Sequence, residues 1–432
     1  MKNGFYVIMA AQFFSSLADN ALLIAAIAML VQLDGPPWAT PLLKFFFTIS
    51  YVLLAFLVGA FADSMPKGRV MFLTNAIKVV GCLLILFNQF MSVGHLSAYW
   101  LVLLAYAVVG LGAAAYSPAK YGILTELLPA EKLVMANGWI EGLTVASIVL
   151  GNVLGGMLIG PRISHMLLSI DVPFVQTSID TPPEAAVVVI SLVYGIAAIL
   201  TLAIPDTGAR YSHQERNPLR LLVDFSRCFV ILWRDKLGQI SLAVTTLFWG
   251  AGACLQFIVI RWAERQLKLP LERGAMLSGV SAVGIAIGAV LAARLVPLKK
   301  AVTVLPMGIV MGIAVISMVS LKWMPAVYLV LVLIGACAGY FVVPMNALLQ
   351  HRGHVLMSAG HSIAVQNFNE NVSILVMLAI YSMMIRFDLR IHTVVVIFGL
   401  FMAGSMYLVM RWNAANHRAD PHLDRLIGEA KH

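Results

Sequence analysis

The sequence is poor in charge. Only 11% of its 432 residues are charged, whereas 61% are hydrophobic, and the mean hydropathy is +0.91. Soluble globular chains carry about 25% charged residues, so this composition excludes that class and indicates a membrane protein.

Cysteine is scarce as well. The four cysteines show no Cys-x2-Cys or Cys–His spacing, and they are Cys82, Cys228, Cys254 and Cys337. We expect them to be small packing residues, and we expect the protein to hold no metal and no cofactor.

Sequence motifs for catalysis are also lacking. No Walker A motif occurs, which argues against direct use of ATP. The His-x4-Asp pair of glycerolipid acyltransferases is missing, because the spacing from His165 to Asp171 is too long and that from His417 to Asp420 is too short. A membrane-bound enzyme is therefore the disfavoured alternative.

Long apolar runs are abundant. A membrane-spanning helix needs about 20 apolar residues, and about twelve runs meet that length: 5–31, 43–63, 70–91, 97–121, 136–160, 186–204, 238–261, 273–295, 301–321, 325–349, 360–385 and 391–412. So many spans predict an all-α membrane protein, a twelve-helix bundle with two six-helix halves, because lipid-exposed irregular backbone is excluded.

The spans divide evenly around one long charged segment. We predict a half at 1–205, a cytoplasmic linker at 206–237, a second half at 238–413 and a cytoplasmic tail at 414–432. Most basic residues then lie on the side of the membrane that also carries both termini. Because basic residues are enriched on the cytoplasmic side, this bias predicts cytoplasmic termini. The net charge of +9 is thus a topology signal and does not indicate nucleic-acid binding. Asn217-Pro218 predicts the start of an interfacial helix, although a merely tethering linker fits as well.

Two acid–amide dipeptides lie inside the apolar runs, Asp19-Asn20 and Glu370-Asn371. A carboxylate at mid-membrane costs about 2.5–3.5 kcal/mol and so marks a pathway or a site. A carboxylate accepts hydrogen bonds from an ammonium group, and amides bind phosphate or glycerol oxygens. Asp19 could instead be a structural partner of Lys78, and cation coupling would suit these acids equally.

Two six-span halves are typical of the major facilitator superfamily. Gly110-x-Gly112 before Pro118 and Gly335-x3-Gly339 before Pro344 suggest a repeat. The loop formed by Gly59-x3-Asp63 and Lys67-Gly68-Arg69 resembles that superfamily's loop motif, in which a tight turn forms a conformation-dependent charge contact. Here the turn is two residues longer and contains Pro66.

Several stretches resemble the lysophospholipid transporter family of that superfamily: 114–129, 136–138, 247–252, 340–350 and 364–371, together with Asp19-Asn20. The resemblance implies flipping of lysophospholipids, such as lysophosphatidylethanolamine, from the outer to the inner leaflet of a bacterial inner membrane by alternating access. It also implies a separate acyltransferase/acyl-acyl carrier protein synthetase that re-acylates the flipped lipid. We expect a monomer among membrane lipids.

The candidate residues fall into two groups. The expected substrate-binding residues are Asp19, Asn20, Lys78, Lys120, Asn367, Glu370 and Asn371, and the expected gate residues are Asp63, Lys67, Arg69, Glu126 and Glu141. Glu370 could instead couple an ion, Glu141 could cap a helix, and Lys120 could simply snorkel.

Glycines in the fifth span bear on both packing and an alternative function. Gly151, Gly155 and Gly156 predict close helix packing. The alternative is a proton-coupled exporter of drugs or metabolites. It is disfavoured because the exporter motif has proline where this chain has Gly156.

Overall fold

Every regular element is helical in the computed structural model, which describes residues 3–35, 39–87, 98–169, 179–209, 217–269, 271–421 and 423–427. The α-helices there are α1 (Asn3–Gln32), α2 (Ala39–Leu53), α3 (Ala55–Asp63), α4 (Lys67–Leu86), α5 (Ala98–Leu127), α6 (Leu133–Ile159), α7 (Pro161–Leu168), α8 (Pro182–Leu202), α9 (Pro218–Arg234), α10 (Gly238–Gln266), α11 (Leu271–Leu295), α12 (Pro306–Ser317), α13 (Met324–Leu356), α14 (Ala359–Arg386) and α15 (Ile391–Ala419). Short 3-10 turns occur at Ala130–Lys132, Leu298–Val304, Met318–Ser320 and Leu423–Leu426. The predicted all-α class is confirmed.

Eleven helical segments of the described residues are long and apolar enough to cross a membrane. The bent pair α2–α3, with 65° between its two parts, brings the number to twelve if it forms one span. The prediction of about twelve spans is therefore confirmed. The bend lies at Leu54, whose dihedral angles of φ −98° and ψ 2° fall outside the helical range.

The connecting helix α9 begins where the sequence predicted. The Asn217 side chain accepts a hydrogen bond from the Leu219 amide at 3.0 Å, and Pro218 occupies the first helical position. Both features favour a helix start, because the cap satisfies a free amide and proline has none to satisfy.

The helices pack into two compact units. The first contains Met1–Ile123 and Ala146–Leu221, and the second contains Leu124–Val145 and Leu222–His432. In the first unit, α8 packs along α1 and α4 around a core of alanine, leucine and isoleucine side chains. In the second, α11 packs along α13, α12 along α15, and α10 along α14.

Glycines let α6 approach α1 in the first unit. A Cβ atom on Gly151 would lie 2.6 Å from the Leu17 carbonyl oxygen, and one on Gly155 would lie 2.8 Å from that of Ala21. The packing role predicted for these two glycines is confirmed. The same prediction was wrong for Gly156, because a Cβ atom there meets nothing within 4 Å.

The contact between α11 and α13 in the second unit also depends on glycine. Gly284 and Gly288 of α11 face Gly335 and Gly339 of α13, and a Cβ atom on any of the four would collide with a backbone carbonyl oxygen of the other helix. The two backbones are therefore in direct contact, and the small residues of the predicted Gly335-x3-Gly339 pattern serve this packing.

We expect Gly335→Ala to destabilise the second unit by about 1–3 kcal/mol, because the added methyl group must push the helices apart. A fall in the thermal unfolding temperature of the purified protein measures this. Gly279→Ala on α11 is the matched control, since its Cβ atom meets nothing within 4 Å. Equal unfolding temperatures for the two variants would contradict the packing argument.

Candidate functional site

The first unit holds an ion pair inside the membrane-spanning helices. The Lys78 ammonium of α4 contacts both carboxylate oxygens of Asp19 on α1, at 2.8 and 3.0 Å. The Lys78 side chain is 1% exposed and that of Asp19 is 23% exposed. The structure therefore brings these two predicted residues together, in the contact that the sequence offered as an alternative.

Hydroxyl groups complete the surroundings of the pair. The Tyr194 hydroxyl of α8 donates to the Asp19 carboxylate at 2.6 Å, and the Lys78 ammonium donates to the Ser15 hydroxyl at 3.0 Å. The Ser15 hydroxyl donates in turn to the Asn75 carbonyl oxygen at 2.8 Å. Three helices thus meet at one network, which the sequence reasoning did not identify beyond Asp19 and Lys78.

The local sequence explains this arrangement. Ser15 lies one helical turn before Asp19, and Asn75 lies one turn before Lys78, so each charged residue has a polar neighbour on its own helix face. Gly112 of α5 makes room for the lysine, because a Cβ atom there would lie 2.8 Å from the Lys78 Cγ atom. That polar spacing is the signal that could have identified Ser15 and Asn75.

Two buried donors lie beside the lysine without a partner among the described residues. They are the Asn75 side-chain amide nitrogen and the Tyr116 hydroxyl. The Tyr116 ring lies 5.1 Å from the Lys78 ammonium, within the range of a cation–π contact. Buried donors ordinarily have partners, so this network offers hydrogen bonds to an incoming acceptor.

Two other predicted residues of the first unit make contacts of a different kind. Asn20 donates to the Ser16 carbonyl of its own helix at 2.8 Å. The Lys120 ammonium lies 4.1 Å from the centre of the Tyr121 ring.

The second unit holds a network built mainly from amides. The buried Gln366 amide of α14 donates to the Glu370 carboxylate at 2.7 Å and to the Asn346 carbonyl oxygen of α13 at 3.0 Å. The Asn346 amide donates to the Glu141 carboxylate of α6 at 3.4 Å. Glu370 and Glu141, predicted in different roles, therefore belong to one buried chain of hydrogen bonds.

A second amide pair lies on the same helices. Asn137 of α6 and Gln350 of α13 exchange two hydrogen bonds of 2.9 Å each. The sequence reasoning missed Gln366 and Asn346 as members of the network, although Gln366 lies one turn before Glu370. The Gln366 carbonyl oxygen is buried and has no donor among the described residues.

The remaining amides of the predicted set lie on α14. Asn371 donates to the Asn367 carbonyl of its own helix at 2.8 Å. Asn367 is 6% exposed, lies one turn before Asn371 and belongs to the buried part of the helix.

The predicted gate residues divide between two places. Asp63 at the end of α3 and Lys67 at the start of α4 form a buried ion pair, and the lysine also donates to the Ala62 carbonyl at 2.8 Å. Arg69 is exposed in the same first turn of α4, two residues after Lys67. Glu126 is half-buried near the end of α5, in the second unit.

The two networks offer different chemistry. The first unit presents an ammonium group, a carboxylate and spare donors, a set that suits a phosphate and an ammonium together. The second presents carboxylates and a spare acceptor, which suit a donor. Among the described residues, no group of three or more His, Cys, Asp or Glu side chains could hold a metal ion.

Relatives of this chain are known. A sequence model of the Major Facilitator Superfamily matches residues 8–376. The curated "Lysophospholipid transporter LplT" of Yersinia enterocolitica serotype O:8 / biotype 1B is 40% identical over 389 residues, which cover 89% of this chain and 88% of the relative. The protein of the same name from Yersinia pestis strain Pestoides F matches with the same identity and coverage.

Solved structures share the fold at low sequence identity. A bacterial homologue of the iron transporter ferroportin, in the outward-facing state, gives a TM-score of 0.72 at 15% identity and covers 96% of this chain and 100% of that one. A variant of the Escherichia coli fucose:proton symporter FucP gives a TM-score of 0.71 at 14% identity, and the match covers 95% of this chain and 98% of that one. At these identities the likeness concerns the fold alone.

We expect Lys78→Met to destabilise the protein by about 3 kcal/mol, because it leaves the Asp19 carboxylate without its cation. The double variant Asp19→Asn, Lys78→Met removes both charges and should recover most of the loss. Thermal unfolding of the two purified variants measures the difference. If the double variant is no more stable than Lys78→Met alone, the ion pair does not stabilise this unit.

Proposed function

This chain belongs to the Major Facilitator Superfamily and, within it, to the family of the lysophospholipid transporters, and we propose that it carries lysophospholipids across the bacterial inner membrane as a multi-pass protein. The named relatives are transporters. We propose that this chain likewise moves the lipid without changing it chemically.

The observation that carries the proposal is the Asp19–Lys78 pair. A zwitterionic headgroup such as phosphoethanolamine carries the same two charges as this pair. When the ammonium of the lipid binds Asp19 and its phosphate binds Lys78, two new ion pairs replace one ion pair and the hydration of the headgroup. This exchange lowers the cost of taking the headgroup out of water, which is the barrier that a flippase must lower.

The surroundings of Lys78 support this assignment. The spare Asn75 amide and Tyr116 hydroxyl provide neutral donors for phosphate oxygens beside the ammonium. Asp19 is the more exposed member of the pair, and its carboxylate is the proposed contact of the lipid ammonium. Asn20 and Lys120 remain proposed contacts of the lipid.

The second unit provides another set of polar contacts. We propose that Glu370 and the spare Gln366 carbonyl oxygen accept hydrogen bonds from the lipid ammonium or glycerol hydroxyl, with Asn367 and Asn371 as further contacts. The Asp63–Lys67 pair and Glu141, with Arg69 and Glu126, are the proposed gate residues of an alternating-access cycle.

Direction and partner follow from the same proposal. The bias of basic residues supports cytoplasmic termini. We propose transport from the outer to the inner leaflet by a monomer, and re-acylation of the lipid by a separate acyltransferase/acyl-acyl carrier protein synthetase. The free glycerol hydroxyl of a lysophospholipid is the group that such an enzyme esterifies.

We expect Asp19→Asn to lower lysophosphatidylethanolamine transport into liposomes by about tenfold or more, because the lipid ammonium loses a charge-assisted hydrogen bond. Asp34→Asn, an exposed acid of the same unit, is the matched control. The double variant Asp19→Asn, Lys78→Met separates an effect on transport from an effect on folding. It should restore the stability of the protein without restoring the binding site. Near-normal transport by the folded double variant would contradict the headgroup role.

We expect Glu370→Gln to weaken the binding of every lysolipid, including those with short acyl chains, because its contact is with the polar head. Binding curves in detergent test this, with Glu264→Gln as an exposed control on α10. If binding survives while transport driven by a proton or sodium gradient fails, Glu370 couples an ion instead.

A further inference from the structure

The connecting helix α9 has an outer face that no described element covers. Its exposed apolar side chains include Leu219, Leu222, Val223 and Val230, which are between 43% and 74% exposed. Leu222, Val223 and Val230 lie three, four and eleven positions after Leu219, so the four side chains form one stripe along the helix. With three arginines and an aspartate in 17 residues, α9 is not among the segments apolar enough to span the membrane.

A row of arginines follows one edge of this stripe. Arg220, Arg227 and Arg234 are exposed and are spaced seven residues apart, which places them on one side of the helix. Asp224 lies near the row and contacts Arg227 at 3.4 Å, and the arginine side chain is 72% exposed and that of the aspartate 42%. The row nevertheless keeps a net positive charge beside an apolar surface.

The inner face of α9 is firmly packed in the second unit. The rings of Phe225 and Phe229 contact Phe368 of α14 edge-on, with centroids 5.5 and 6.2 Å apart. Trp233 stacks on Trp412 of α15 at 6.4 Å. Phe368 is the residue after Asn367 and two positions before Glu370, so α9 bears directly on the helix that carries these polar residues.

An ion pair fixes the end of the helix as well. Asp235, one residue past α9, pairs with Arg352 of α13 at 2.7 Å, and both side chains are at most 9% exposed. Arg352 also donates to the Leu426 carbonyl at 3.1 Å. The inner face and the end of α9 therefore contact both α14 and α13.

We propose that the outer face of α9 binds acidic phospholipids of the membrane, and that this binding sets the activity of the transporter through Phe368. The apolar stripe inserts among acyl chains, and the arginine row binds anionic headgroups. The charge complementarity identifies the occupant, because a zwitterionic surface offers the row no net attraction. This lipid acts as a regulator and is distinct from the transported lysolipid.

The test measures transport of zwitterionic lysophosphatidylethanolamine in phosphatidylcholine liposomes with increasing phosphatidylglycerol. The wild-type rate should rise with the acidic lipid. In the variant Arg220→Gln, Arg227→Gln, Arg234→Gln this rise should be lost over the whole range of phosphatidylglycerol, because affinity for the acidic surface falls by about fivefold for each arginine removed. The matched control is Arg294→Gln, Lys299→Gln, Lys300→Gln, which removes three exposed basic residues of the second unit and should behave as wild type.

A second readout does not depend on transport. In detergent, added phosphatidylglycerol should raise the unfolding temperature of the wild type and the control above the value in phosphatidylcholine, and should not do so for the triple arginine variant. Arg227→Glu, a single exposed change, replaces the triple variant if that variant does not fold. An undiminished response to phosphatidylglycerol in the arginine variants, by rate and by unfolding temperature, would overturn the proposal. Loss of all transport with the temperature response intact would count against the proposed function alone.

Discussion

The first unit depends on the need to neutralise one buried ammonium group. Lys78 is almost completely excluded from solvent, and a charge in that position is tolerated only with an opposite charge and hydrogen bonds around it. The partners come from α1 and, through Tyr194, from α8, so the requirement of one side chain determines how three helices meet. The buried lysine also accounts for Gly112 of α5, because a larger residue there would occupy the space of the Lys78 side chain.

The second unit meets the same constraint with amides. An amide carries a donor and an acceptor, so Asn137 and Gln350 can satisfy each other by exchanging two hydrogen bonds. Asn346 and Gln366 extend this principle between the carboxylates of Glu141 and Glu370. The amides of this network have fixed partners and carry no charge. Its only charged groups are the two acids at its ends. The first unit therefore presents charges of both signs, and the second presents carboxylates and a spare amide acceptor.

The sequence predicted much of the fold and less of the site. Hydropathy located the spans, and Asn217-Pro218 predicted the start of α9, because both signals are local. The pairing of Asp19 with Lys78 was left open, since helical spacing gives the depth of a residue but not which helix it faces. For the same reason Tyr194 was missed, and Gly156 was wrongly given a packing role that its neighbour Gly155 fills. The bend between α2 and α3 lies within one apolar run, so hydropathy does not register it.

The proposed exchange at Lys78 also imposes a condition on the headgroup. A zwitterion offers a partner to both members of the pair, so neither charge is left alone in a medium of low dielectric constant. A purely anionic headgroup would satisfy Lys78 and separate it from Asp19, whose carboxylate would keep only the Tyr194 hydroxyl. Transport of such a lipid then requires a cation at Asp19, supplied as a bound ion or as a proton. Under the proposed exchange, charge balance at this single pair therefore decides which headgroups need an added cation for their transport.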